Sequence, residues 1–254
     1  MTKIEIAPIA GPTGNAAKVA RIVAAHTVGA DTRLLELEAS QAFAFAGGQF
    51  VIVDSGLVLP SGKAAKRAYS ILSADAEPRR WHLAVKRIPD GPCSGHLHGI
   101  DIGDEVRFTG PWGKLRPPDG ATGPVLILAT DTGVSAALGL VQSRAMAPLL
   151  GDTAFVWLRP SPDYFLPEGM VRACVPAACR DVQIDLLPPI GHPERIPRVR
   201  ALLGDRLARG PLAHAFIAGD GAVNYALLDD LVVAGIPATR DNLESFFNMP
   251  KKSA

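Results

Sequence analysis

No stretch of this 254-residue chain stays apolar for the roughly 20 residues that a bilayer-crossing helix needs, so no membrane span is expected. A surplus of one charge is missing too: 26 Lys and Arg stand against 25 Asp and Glu, a formal net charge of +1. The global field therefore offers nothing to nucleic acid or to an anionic membrane surface, and any charged docking face has to be local. Cysteine is confined to Cys93, Cys174 and Cys179, an odd number without C-x-x-C spacing. Such a set makes neither a zinc site nor a disulfide framework, and the plant-type C-x4-C-x2-C cluster run is absent. A reducing, cytoplasmic setting is the expectation. His96 and His98, two residues apart in a short helical turn, are badly spaced for a shared ion, so no metal site is expected. Met1–Gly14 lacks the apolar core of an export signal and reads as part of a short disordered leader over residues 1–16.

What is present falls into two textures. Lys18 to Gly110 reads as short strands between turns, at Val19–Ala25, Thr32–Ala39, Gln49–Asp54, Arg67–Ser73, Trp81–Arg87 and Asp104–Thr109. Period-two alternation is clearest in Leu35-Glu36-Leu37-Glu38 and in Trp81–Val85. Six strands at this spacing predict a small antiparallel β-barrel, with one helix at about Ser94–Gly99 after the Gly91-Pro92 turn. Arg116–Gly120 is stiff and turn-rich, which sets a boundary between a barrel domain, residues 17–118, and a second domain, residues 119–254. Beyond it strands and helices alternate. Val125–Ala129 is the fully apolar run of a strand buried on both faces, and Val134, Ala137, Leu138 and Val141 recur at helical spacing. Strands at Ala154–Leu158, Val182–Leu187 and Ala215–Ala218 are separated by helices near Glu168–Arg180, Val199–Arg209 and Ala222–Ala234, with Pro176 ending the first of these. The pattern predicts a doubly wound α/β layer built on a parallel sheet.

Within the barrel, Arg67-Ala68-Tyr69-Ser70 sets a cation, a flat aromatic face and a hydroxyl within four residues of one strand. Alternation sends Arg67 and Tyr69 one way and Ser70 the other. A diphosphate calls for a guanidinium that can hold two oxygens, and a flat heterocycle for an aromatic plate and a small hydrogen-bonding partner. In an open parallel sheet, ligands bind beyond the carboxyl ends of the strands. That singles out three places: Thr130-Asp131-Thr132-Gly133, opening a helix whose amides can receive phosphate; Arg159; and Gly219-Asp220-Gly221.

The order Arg67-x-Tyr69-Ser70, Gly91-Pro92-Cys93-Ser94 entering a helix, Gly103-Asp104, Gly110-Pro111-Trp112-Gly113, an α/β layer and a closing Glu244-Ser245-Phe246-Phe247 resembles the ferredoxin-NADP reductase family. The resemblance runs from Lys18 to Phe247. It implies a barrel that binds FAD and an α/β domain that binds NAD(P)H. Arg67 would hold the FAD diphosphate, Tyr69 would stack on the isoalloxazine, and Ser70 would lie by the hydride-accepting nitrogen. Cys93 and Ser94 would close over the same diphosphate, and the backbone at Val85, Lys86 and Arg87 would run beside the adenosine. Thr132 and Gly133 would face the pyridine nucleotide, Arg159 its adenosine end, and Gly219 and Asp220 its nicotinamide. Glu244, Phe246 and Phe247 would return to the flavin, which makes Ser70, Tyr69 and Glu244 the expected catalytic set.

Two departures lie in the nucleotide half. Asp131 stands where the family has glycine and Ala136 where it often has proline, and the customary cysteine beside the nicotinamide is missing from Ala218–Val223. A carboxylate beside a diphosphate repels it unless it is turned away as a helix cap. The resemblance therefore implies an FAD-dependent enzyme passing electrons from NAD(P)H to a separate ferredoxin, flavodoxin or oxygenase component. A flavin-bearing subunit with little NAD(P)H oxidation, or a free flavin reductase, remains the alternative. Lys63, Lys66, Arg79, Arg80, Lys86, Arg87, Lys114 and Arg116 make the barrel locally basic, a face that could steer an acidic carrier.

Overall fold

The structure, a computed structural model, describes residues 16–249; the leader expected over residues 1–16 lies, but for Ala16, outside them. Strands β1 (Lys18–Val28), β2 (Thr32–Ala39), β3 (Phe50–Val58), β4 (Ala64–Ser70), β5 (Arg80–Lys86) and β6 (Glu105–Trp112) form one antiparallel sheet in the order β4-β3-β6-β1-β2-β5. The two outer strands meet through an Ile71–Leu83 bridge, which curls the sheet into a barrel. Inward positions are filled by Ile22, Leu35, Leu37, Val51, Val53, Leu83 and Val85. Phe43, Trp81 and Phe108 cluster there with ring centres 4.9 to 5.1 Å apart. Helix α1 (Pro92–Gly99) inserts Leu97 into this core. It begins two residues before the expected Ser94, because proline is preset for the first helical turn.

After the connection 113–124, parallel strands β7 (Val125–Thr130), β8 (Thr153–Arg159), β9 (Asp181–Leu186), β10 (His214–Asp220) and β11 (Leu243–Phe247) form a sheet in the order β11-β10-β7-β8-β9. The strand order reverses beside β7, so the crevice of a doubly wound layer opens at the carboxyl ends of β7 and β10. One face packs on α2 (Val134–Val141) and α3 (Glu168–Cys174); the other on α4 (Arg195–Ala208) and α5 (Gly221–Val233). Sequence reading missed β11, a short edge strand without alternation, and drew α3 too long, since it stops at Cys174 ahead of Pro176. It also began α4 late, at Val199, whereas a first helical turn tolerates Pro197.

Every residue of α2 is buried, because the helix lies between the sheet and the barrel. Two glycines allow the approach. A Cβ on Gly139 would come within 2.2 Å of the Ile71 carbonyl, and one on Gly47 within 2.1 Å of the Gly139 carbonyl. Gln142 Nε2 then donates to the Leu72 carbonyl at 2.9 Å across the same seam. Among the described residues no helix is long and apolar enough to cross a membrane, and no cluster of potential metal ligands occurs.

Candidate functional site

The seam between barrel and sheet opens into a cleft of about 320 Å³. Its barrel wall is the end of β4, residues Arg67 to Ser70. Alternation would separate Ser70 from Arg67 and Tyr69, yet all three line the cleft, because the chain leaves β3 after Ser70 and crosses to β5. Tyr69 is half-buried, and burial pushes its phenol well up, so it stands as a neutral plate. Arg67 is exposed and forms no ion pair among the described residues.

Opposite Arg67 lies the mouth of α1. Gly91 caps it without a side-chain hydrogen bond, leaving the Cys93 and Ser94 amides without helical partners. Ser94 Oγ accepts from the Ile88 amide at 3.1 Å and donates to the Gly91 carbonyl at 3.1 Å, which folds the entry loop. A Cβ at Gly91 would fall 2.7 Å from that Oγ, so the loop needs glycine. The positive end of a helix and an unpaired guanidinium lining one cleft have the chemistry to receive a diphosphate. The Cys93 thiol is buried against the Val53 and Ala65 carbonyls, and burial pushes it up, away from reactive thiolate, so only the backbone amide is left for a ligand. Val85 keeps its side chain in the barrel core; Lys86 lines the cleft, paired with Asp31 and 4.5 Å from the centre of the Tyr164 ring.

The opposite wall comes from the α/β layer: Thr132, Ser135, Phe165, Phe246 and Phe247. Two consecutive phenylalanines reach the cleft because the β10–β11 register slips between Gly219 and Asp220, leaving Phe246 as a bulge. Sequence reasoning missed Ser135 and Phe165. Phe165 has φ +62°, which a bulky residue rarely adopts, and is buried. Ser135 Oγ is buried and has no hydrogen-bond partner among the described residues. A helix mouth, a free guanidinium, a neutral aromatic plate and an orphaned hydroxyl in one cleft fit a flavin dinucleotide.

The other expected nucleotide residues do not line the cleft. Gly133 and Gly219 serve backbone against backbone: Cβ atoms there would fall 2.3 Å from the Ala218 carbonyl and 2.2 Å from the Thr130 carbonyl. Arg159 is buried, donating to the Pro162 carbonyl at 2.6 Å and to Glu168 at 2.5 Å. Asp220 caps α5, accepting from the Ala222 amide at 3.0 Å. Asp131 is buried at φ +54° and paired with Arg195 of α4, which also binds Asp220 at 2.8 Å and the Pro188 carbonyl at 2.6 Å. Burial pushes the Asp131 carboxyl up, opposed by the Arg195 guanidinium. The carboxylate is thus held by a buried cation, a compensation other than the helix capping that would also have kept it from repelling a diphosphate. Sequence reasoning missed Arg195, because that helix was read as opening four residues later, at Val199; an arginine opening a helix opposes the helix dipole and calls for carboxylate partners.

Glu244, on β11, also lies off the cleft, its Oε2 3.0 Å from the position of a Cβ on Gly113. Burial pushes its carboxyl up to about 7. The folded protein thus binds this proton more tightly than the unfolded chain, so stability present below the unfolded value near 4.3 is lost as pH rises toward 7. Glu244→Gln should remove that slope and gain on the order of 2 kcal/mol at pH 8 over wild type. Denaturant melts at pH 5 and pH 8 check it; parallel pH profiles in the two proteins would refute it.

Residues 19–116 match the family model described as an oxidoreductase FAD-binding domain. The chain is 37% identical over 142 residues to ferredoxin–NADP reductase B of Sorangium cellulosum, covering 55% of each chain. It is 33% identical over 129 residues to the reductase subunit of an aromatic O-demethylase of an Amycolatopsis species, covering 49% of this chain and 37% of the relative. The chain thus matches about half or less of the length of these relatives. Among solved structures, the Amycolatopsis cytochrome P450 reductase GcoB superposes with a TM-score of 0.72 over 92% of this chain and 70% of that one, at 20% identity. The barrel therefore carries the match to an oxidoreductase FAD-binding domain, and the chain as a whole shares its two-domain fold with that solved reductase.

Proposed function

We propose that this chain is an FAD-dependent reductase that takes reducing equivalents from NAD(P)H and passes them to a separate carrier protein or oxygenase component. Residues 17–118 hold FAD and residues 119–254 receive the pyridine nucleotide. The observation that carries this reading is the single cleft in which Arg67, Tyr69, Ser70 and the α1 mouth of the barrel face Thr132, Phe246 and Phe247 of the α/β layer. FAD, when bound, supplies the exchange between hydride and single electrons. Arg67 and the Cys93 and Ser94 amides neutralise its diphosphate. Tyr69 orients the ring, Ser70 offers a hydroxyl to its edge, and Phe246 and Phe247 keep water from it. Glu244 holds a proton behind this wall near neutral pH. The three free thiols suit a reducing, cytoplasmic setting.

Stopped-flow mixing of the FAD-loaded protein with NADPH and with NADH tests the donor half. Rapid bleaching with either supports it; a flavin bleached by dithionite but by neither nucleotide refutes it. That second result would favour a flavin-bearing subunit, although Arg195 neutralises Asp131 and so removes the repulsion that motivated that reading.

Several cations of the barrel are already paired, Lys66 with Asp54, Arg80 with Glu36 and Glu38, and Lys114 with Asp241, so the basic face is smaller than composition suggests. Exchanging Lys63 and Lys66 for Glu should still slow reduction of an acidic carrier about tenfold at low salt, the difference fading at high salt. Equal rates at low salt would remove electrostatic steering from the account.

A further inference from the structure

The strand order β9-β8-β7-β10-β11 makes β7 the first strand of a βαβ unit and β8 the second. In such a unit the diphosphate of a dinucleotide lies at the turn after the first strand, here Thr130–Gly133, and the 2′ position of its adenosine ribose is read near the carboxyl end of the second. A 2′-phosphate is met there by a free arginine, and an unphosphorylated ribose by a carboxylate that accepts from its hydroxyls.

Strand β8 does end on an arginine, but Arg159 is not free. Its side chain is 7% exposed. Nη1 donates to the Pro162 carbonyl at 2.6 Å and Nη2 to Glu168 Oε2 at 2.5 Å, and the guanidinium carbon lies 5.1 Å from the centre of the Trp157 ring. Turning it toward a phosphate would break up a packed ion pair. The group left at the rim is Glu168, in the first turn of α3, with its side chain 41% exposed. Arg172, one turn on, donates to it at 2.9 Å, but its Nη1 reaches the Val182 carbonyl at 3.3 Å, near the amino end of β9, and draws that cation away from the carboxyl ends of the strands. The hydrogen bond from Arg172, with the nearby Arg159 guanidinium, holds the Glu168 carboxyl below its usual range and so ionised at neutral pH. The neighbouring strand end brings no cation either. It reads Leu186-Leu187-Pro188-Pro189-Ile190; the Leu187 amide donates to the Arg159 carbonyl at 2.8 Å, and Leu186 and Ile190 are half-exposed. An apolar shelf of this kind suits a base, not a phosphate.

We propose that the Arg159–Glu168 pair makes this chain select NADH over NADPH: Glu168 accepts from the ribose hydroxyls and repels a 2′-phosphate, and Arg159 is the positioning residue that fixes the carboxylate. This rests on the pyridine-nucleotide reading above and decides between its two donors.

ADP-ribose and its 2′-phosphate, titrated calorimetrically into the FAD-loaded protein, separate the choice from hydride transfer. ADP-ribose should bind about tenfold tighter than the phosphorylated form, and kcat/KM should favour NADH over NADPH by a similar factor. Glu168→Gln keeps the side-chain volume, removes the repelling charge and loosens Arg159. In that variant ADP-ribose should bind about threefold weaker and its 2′-phosphate about tenfold tighter, which reverses the preference. A merely structural role for the pair would weaken both ligands by one factor. That result overturns the proposal, and so does a wild-type protein that binds the two alike or prefers the phosphorylated one; the wild-type ratio decides on its own if the variant folds poorly. If neither ligand binds and neither NADH nor NADPH bleaches the flavin, the donor reading fails and the selection falls with it, a result distinct from a donor site with the opposite preference.

Discussion

Arg195→Leu is expected to lower the stability of the protein by about 3–5 kcal/mol, the usual cost of stripping a buried ion network of its cation. Arg195, Asp131 and Asp220 are all buried. Loss of the guanidinium would leave two carboxylates without a counter-charge. Asp220 would keep the Ala222 amide and Asn248 Nδ2, at 3.0 and 2.8 Å; Asp131 would lose its charge partner. At this chain length the change corresponds to a Tm lowered by about 10 °C. Asp131→Gly combined with Arg195→Leu should recover a good part of the loss, since glycine suits φ +54° and removes one stranded charge. Thermal melts of the single and double variants check this. A double variant as unstable as Arg195→Leu alone would mean that Asp131 and Arg195 are not coupled.

The second large effect concerns the cofactor. Arg67→Ala should weaken FAD binding about 10- to 100-fold, the range for a charge-assisted hydrogen bond to a diphosphate, while hardly changing the melting of the cofactor-free protein. The split follows from geometry: Arg67 is exposed and has no ion-pair partner among the described residues, so its removal takes nothing from the fold. Arg67→Lys should recover only part of the affinity, since an ammonium cannot hold two oxygens in one plane. Riboflavin, which lacks the diphosphate, should bind Arg67→Ala and wild type alike. Equal losses for FAD and riboflavin would place the role of Arg67 elsewhere.

Why the barrel side of the cleft was legible from its own residues, and the other side only in part and through the resemblance, follows from how each is built. Arg67, Tyr69 and Ser70 are contiguous, and Gly91 to Ser94 form a turn and helix mouth in four residues, so the chemistry is written locally. The α/β side gathers Thr132, Phe165 and Phe246 from three distant parts of the chain; the resemblance pointed to the first and last, while Phe165 is brought in by the fold alone. Gly133 and Gly219 were readable as close approaches, but sequence does not say what approaches; here it is neighbouring backbone rather than ligand. Arg159 read as a free cation past a strand, whereas Glu168, nine residues on, takes it. Asp131 was rightly conspicuous, and its partner lies 64 residues away on another element.

The account depends on a flavin dinucleotide lying between the guanidinium of Arg67 and the mouth of α1. Titrating FAD into the cofactor-free protein, followed by calorimetry and by quenching of flavin fluorescence, tests this most directly. One equivalent of FAD should bind tightly, with FMN and riboflavin progressively weaker as the diphosphate is lost. Binding of FAD no tighter than riboflavin, or no binding at all, would contradict it.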